Sequence, residues 1–199
     1  MKKGIYVVTN RKLIKEVALE DICKKSAEGG AAAIILREKD LKTEDLLELA
    51  YRVKNELKGR VPLIINGNYE VAKRANSDGL HLGYNAFMDF EVEFSGCLGV
   101  SIHSLQEAID AEKKGADYLI AGHIFETSCK EGLAGRGLGF LSEICNTVRI
   151  PVIAIGGISE ENINSVMKCG AYGVAVMSSV MNSKDPKSYV EALSNRIKI

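Results

Sequence analysis

Arg37 and Lys39, two positions apart, set a forked guanidinium beside a compact ammonium, a pairing suited to a carboxylate or a phosphate. Glu38 and Asp40 alternate with them and could instead neutralise both on an exposed loop. Gly156-Gly157 offers two consecutive backbone N–H groups, which fit a tight turn as well as an anion cradle. Ser178-Ser179, placed after the following apolar run, adds donors of the same kind and turns the reading towards phosphate. His123 lies between an apolar run and a polar, glycine-bearing stretch, where an imidazole can take a proton and return it near neutral pH. Such a group suits enolisation or tautomerisation, although the same ring could be hydrogen-bonded within a packed interior. His81, inside a short apolar run, reads as the packed kind, and His103 opens a helix. The three histidines stand roughly 20 residues apart, with no zinc-like spacing. Cys129 has only Lys130 to favour a thiolate nucleophile. The stretch from Lys130 to Gly137 reads as a cover bearing two cations, or as an ordinary solvated connection.

These groups must be brought together by the elements between them. Apolar runs recur about every 25 residues, each followed by an amphipathic stretch, as in parallel β/α architecture. Strands are expected at Ile5–Thr9, Ala32–Leu36, Val61–Ile65, Gly79–Leu82, Leu98–Ser101, Tyr118–Ala121, Val152–Ile155 and Gly173–Met177. They are apolar on both faces, as strands covered on both sides should be. Ser104-Leu105-Gln106-Glu107 is a capping box, Ser159 before Glu160-Glu161 marks another helix start, and Asp185-Pro186 joins an N-cap to proline. Leu46, Leu49, Val53 and Leu57 give one helix its buried stripe. Gly29-Gly30-Ala31, Gly115-Ala116-Asp117 and Gly170-Ala171-Tyr172 repeat a helix-to-strand junction. The segment Met88 to Phe94 alternates with period two where a helix is due and reads as a short or irregular element. The expected fold is α/β, a single compact (β/α)8 TIM barrel over residues 1–199. An open doubly wound sheet is the runner-up, disfavoured because Thr9-Asn10-Arg11-Lys12 stands where a glycine-rich fingerprint would follow the first strand. In a barrel the strand ends gather Thr9, Arg37, Lys39, Asn66, His81, Ser101, His103, His123, Gly156-Gly157 and Ser178-Ser179 on one face.

With 46% hydrophobic and 26% charged residues the chain is neither disordered nor a coiled coil. Its 26 Lys plus Arg balance 26 Asp plus Glu, which excludes a generic polyanion binder, so neither nucleic acid nor a membrane surface is an expected partner. The basic opening Met1-Lys2-Lys3 is followed by too short an apolar stretch for a secretory signal. Five cysteines, never spaced C-x-x-C, point to a reducing cytoplasm.

Several blocks, one per strand end, carry a resemblance: Ile35-Leu36-Arg37-Glu38-Lys39, Pro62 to Asn66, Gly79-Leu80-His81-Leu82-Gly83, Gly99 to Ser104, and Pro151 to Gly157. Over essentially its whole length the chain resembles the thiamin phosphate synthase/TenI family, whose members are small barrels with two activities. The synthases couple a pyrimidine methyl diphosphate to a thiazole phosphate with Mg²⁺ held by two aspartates. Here Gly67 stands at one of those positions, and Tyr84-Asn85-Ala86 carries no carboxylate at the other. Gly122 to Thr127, Cys129-Lys130 and Gly135-Arg136-Gly137 look like the TenI-type thiazole tautomerase, in which a histidine matching His123 is the implied acid/base. The expectation is therefore a metal-independent tautomerase aromatising a carboxythiazole phosphate, with no cofactor. His123 would shuttle the proton. Gly156, Gly157, Ser178 and Ser179 would hold phosphate, Arg37, Lys39 and Lys130 would meet the other anionic end, and Asn66, Ser101 and Thr127 would orient the ring. The synthase, with Mg²⁺, is the alternative, since Arg37 and Lys39 match its diphosphate-binding pair and Lys130 its loop lysine. A ligand-sensing barrel without turnover is the non-enzymatic one. Barrels of this kind often pair, so a homodimer is a further expectation.

Overall fold

The computed structural model describes residues 1–127 and 132–197. Eight parallel strands close into a barrel in sequence order: β1 Gly4–Val8, β2 Ala33–Leu36, β3 Leu63–Asn66, β4 Gly79–Gly83, β5 Cys97–Ile102, β6 Tyr118–Gly122, β7 Val152–Ile155 and β8 Gly173–Val176. β8 returns to β1 through the pairs Gly4–Gly173 to Val7–Val176, so no edge is left open. The open-sheet alternative is thereby excluded. Each expected strand is present, with ends displaced by a residue or two.

Among the described residues the helices are α1 Leu19–Glu28, α2 Thr43–Leu57, α3 Tyr69–Arg74, α4 Tyr84–Met88, α5 Leu105–Lys114, α6 Gly137–Thr147, α7 Ile163–Lys168, α8 Ser178–Met181 and α9 Pro186–Ile197. The stripe Leu46, Leu49, Val53 and Leu57 of α2 is buried against the barrel. The capping box forms, with Ser104 Oγ accepting from Glu107 N–H at 3.1 Å. Its return bond comes from His103 N–H to Glu107 Oε2 at 2.6 Å, one residue earlier than the usual reciprocal donor. Asp185 caps α9 through Ser188 N–H at 3.2 Å. Ser159 does not start a helix: α7 begins at Ile163, because Asn162 Oδ1 accepts from Ser159 N–H at 2.9 Å and holds residues 159–162 as a turn. The period-two segment after Met88 makes no strand; Phe90 and Phe94 leave the regular backbone to pack edge-on against Tyr69. No helix among the described residues is long and apolar enough to cross a membrane.

Alternation along the strands sorts side chains into two cores. Leu80, Leu82, Val100 and Ile102 face the helices, while Tyr6, Val8, Ile35, Ile64, Tyr118, Ile120, Ile153 and Ala175 fill the barrel interior. The second set carries the floor of the site.

Candidate functional site

Thr9, at the end of β1, is fully buried and uses its hydroxyl twice. It donates to Glu38 Oε1 at 2.7 Å and accepts from Arg37 N–H at 2.9 Å. Glu38, 4% exposed, also receives Arg11 N–H on both oxygens at 3.1 Å and the Arg11 guanidinium at 3.1 Å. The rest of the Arg11 fork lies on Asp40 at 2.8 Å, joined by Lys12 at 3.2 Å. That cation holds the Asp40 carboxyl well below the usual range. The charge alternation that left Arg37 and Lys39 ambiguous is thus resolved. The carboxylates of this loop are taken by Thr9, Arg11 and Lys12, and among the described residues neither Arg37 nor Lys39 has an ion pair. Arg37 is half-buried and Lys39 exposed.

Glu38 is accordingly the template of the basic loop, although the sequence suggested for it only a neutralising role. Every group touching its carboxylate is a donor, so E38Q, which turns an NH2 towards one of them, is expected to cost about 2–3 kcal/mol in urea unfolding. The same variant should loosen the loop that carries Arg37 and Lys39; R11A, which removes a third-exposed side chain but not its backbone donor, should do less.

On the next strands, Asn66 donates from Nδ2 to the His81 carbonyl at 2.9 Å and keeps its amide oxygen at the mouth. His81 is 3% exposed and lies between Tyr118 Oη at 3.0 Å and Ser101 Oγ at 2.8 Å. Burial first, then the Arg37 charge, lowers its pKa to about 3, so the ring is neutral. His81 is therefore the packed histidine its position suggested, but it also reaches a site residue. His103 stands at the rim, 3.8 Å from Glu107.

His123 is not in the barrel layers. It follows β6, is 7% exposed, and its Nε2 lies 3.2 Å from the Leu133 carbonyl. Nδ1 is buried without a hydrogen-bond partner among the described residues. The ring is thus tied to the stretch expected to cover the site, and one of the two cations of that stretch, Arg136, lies 5.3 Å over the Phe140 ring. Thr127 is partly buried just beyond. Cys129 and Lys130 lie outside the described residues.

Gly156 and Gly157 turn the chain after β7 with φ of 104° and 63°. A Cβ on Gly156 would stand 2.3 Å from His123 Cβ, and one on Gly157 2.5 Å from the Glu126 carbonyl oxygen. The Gly156 carbonyl accepts from Phe125 N–H at 3.1 Å and that of Gly157 from Asn162 Nδ2 at 2.9 Å, so the turn offers a ligand its N–H groups. Ser178 and Ser179 open α8, directly after the neighbouring β8, and are half-buried. The mouth therefore has a donor-rich turn on the β7–β8 side and two cations on the β2 side.

The described residues offer no set suited to a divalent cation. Among the described residues no group of three or more His, Cys, Asp or Glu could hold a metal ion. Gly67 is exposed, with open space where its Cβ would be, and Tyr84-Asn85-Ala86 begins α4 without a carboxylate. Hard cations need several oxygen ligands, and this set does not fit Mg²⁺.

The family model described as thiamine monophosphate synthase matches residues 5–180. A thiamine-phosphate synthase of Clostridium acetobutylicum is 37% identical over 98% of this chain and 94% of that protein. That of Pyrococcus horikoshii is 38% identical over 96% and 93%. The solved structure of thiamine phosphate pyrophosphorylase from Pyrococcus furiosus superposes with a TM-score of 0.85 at 33% identity, covering 98% of this chain and 96% of that one. These findings overturn the expected tautomerase and its isomerase class: relatives matched along nearly their full length, at 33–38% identity, are named as synthases. The blocks Gly122 to Thr127, Cys129-Lys130 and Gly135 to Gly137 and the two non-acidic positions, Gly67 and Asn85, had suggested otherwise; the family match runs from residue 5 to residue 180.

Proposed function

This chain belongs to the thiamine monophosphate synthase family, and from that premise we propose that it joins a pyrimidine methyl diphosphate to a thiazole phosphate, releasing pyrophosphate. The new bond links the thiazole nitrogen to the exocyclic methylene, and the methylene–oxygen bond breaks with its electron pair leaving on pyrophosphate. The observation that carries this reading is a mouth with two anion-binding ends. The turn at Gly156, Gly157, Ser178 and Ser179 takes the thiazole phosphate, and Arg37 and Lys39, free of carboxylate partners among the described residues, take the diphosphate. Arg37 meets the departing charge with a bidentate fork and Lys39 with a point charge. Asn66 and Ser101 lie between these two ends, and Asn66 orients the rings. His123 has no proton to move in this reaction; it backs the phosphate turn, its Cα and Cβ against Gly156 and its ring on the Leu133 carbonyl.

Incubating the chain with both substrates should yield thiamine phosphate and pyrophosphate in equal amounts. No product would leave a ligand-sensing barrel. Because Gly67 and Asn85 stand at the two acidic positions, any Mg²⁺ in the reaction arrives with the diphosphate. Titrating the protein alone with Mn²⁺ should show no saturable site, and a bound ion would overturn that part of the reading.

A further inference from the structure

Tyr118 and His81 form a buried hydrogen-bonded pair that ends at a site residue. Tyr118 is 0% exposed and reaches over β5 towards β4 through the space left by Gly99, where a Cβ would stand 2.0 Å from its ring. Among the described residues its hydroxyl has one partner, His81 Nδ1, at 3.0 Å. A buried phenol needs an acceptor for its proton, so Tyr118 donates and Nδ1 accepts. A neutral imidazole then carries its proton on Nε2 and donates it to Ser101 Oγ at 2.8 Å. Ser101 receives that bond, and its own O–H is left to donate. Burial and the nearby Arg37 charge keep the ring neutral, so the second nitrogen cannot also become a donor and disturb the order.

We propose that His81, set in one tautomer by Tyr118, is a positioning residue that makes the Ser101 hydroxyl a donor to the anionic part of the substrate. The proposal rests on reading the mouth as the substrate site. Without Tyr118 the ring can place its proton on Nδ1 and accept from Ser101, which takes the hydroxyl away from the substrate. The two roles of Ser101 are exclusive, and Tyr118, remote from any ligand, chooses between them.

The test is a double-mutant cycle with S101A and Y118F, supported by ¹⁵N spectra of the histidines. Y118F should lower affinity for pyrophosphate and kcat/KM for the diphosphate substrate by about ten- to a hundredfold, the range of one hydrogen bond to a charged group. In the S101A background the same substitution should change neither quantity. The His81 nitrogens, recognised by their displacement in Y118F, should show the proton on Nε2 in the unaltered chain. A proton on Nδ1, or a Y118F effect that persists undiminished in S101A, would overturn the proposal. A chain that neither couples the substrates nor binds pyrophosphate would instead overturn the reading of the mouth, and the ¹⁵N tautomer would still decide the hydrogen-bond order.

Discussion

R37A is expected to lose about 10²- to 10³-fold in kcat/KM for the pyrimidine diphosphate, with folding stability nearly unchanged. Arg37 is half-buried at the end of β2, and its side chain makes no ion pair among the described residues. Little of the fold therefore depends on it. What does depend on it is the negative charge that accumulates on the leaving pyrophosphate, which this barrel meets with no acidic pair among the described residues to hold a divalent ion. A guanidinium aimed at that charge gains more in the transition state than in the ground state, so the loss should fall on kcat as well as KM. R37K should recover only part, since the bidentate fork is gone while the charge remains. Equal loss in R37A and R37K would mean that fork geometry is all that counts; no loss in either, measured as initial rates of pyrophosphate release, would remove Arg37 from the site. The same substitution strips His81 of one cause of its low pKa, but burial, the larger cause, remains and keeps the ring neutral.

The sequence displays this arrangement unevenly. The strands were legible because each is apolar on both faces and bounded by glycine or a cap, and the barrel followed from their number and spacing. The floor of the site was legible in part. Ile35 and Arg37, Ile64 and Asn66, Gly99 and Ser101 share a phase of two along their strands, which sends the last member of each pair to the mouth. Applied to Tyr118 and His81, the same rule places both inside, yet only the closed barrel with its register, His81 beside Gly99 and Gly99 beside Tyr118, shows them in contact. Glu38 was legible as a charge and not as an anchor. Its partners Thr9 and Arg11 are more than twenty-five residues away, and nothing local distinguishes a carboxylate that neutralises Arg37 from one that holds Arg37 clear. Activity was the hardest to read. The tautomerase expectation came from the residues around His123 and from two positions without a carboxylate, Gly67 and Asn85, whereas the likeness to named synthases extends over nearly the whole chain.

G156A is expected to be the most damaging single methyl group at the site. Gly156 has φ of 104°, where an L side chain is strained, and its Cβ would meet His123 Cβ at 2.3 Å, His123 Cα at 2.8 Å and Ile124 N at 3.2 Å. Two of those atoms are backbone and fixed by the β6–β7 ladder, since Ile124 N–H bonds the Ile155 carbonyl at 2.9 Å. The chain must move instead, at about 2–4 kcal/mol of stability. Misplaced N–H groups should then cost about 10²-fold or more in kcat/KM for the thiazole phosphate. A tight turn without a ligand would produce the stability loss as well, so the substrate must separate the two roles. With the unphosphorylated thiazole alcohol the unaltered chain should already be slow, and G156A should slow it little further, because the donors that moved have nothing to hold. If G156A costs as much with the alcohol as with the phosphate, the glycines serve only the turn. If the penalty appears only with the phosphate, the pair was kept bare for the anion, and the hydroxyls of Ser178 and Ser179 on the adjoining strand end complete its cradle.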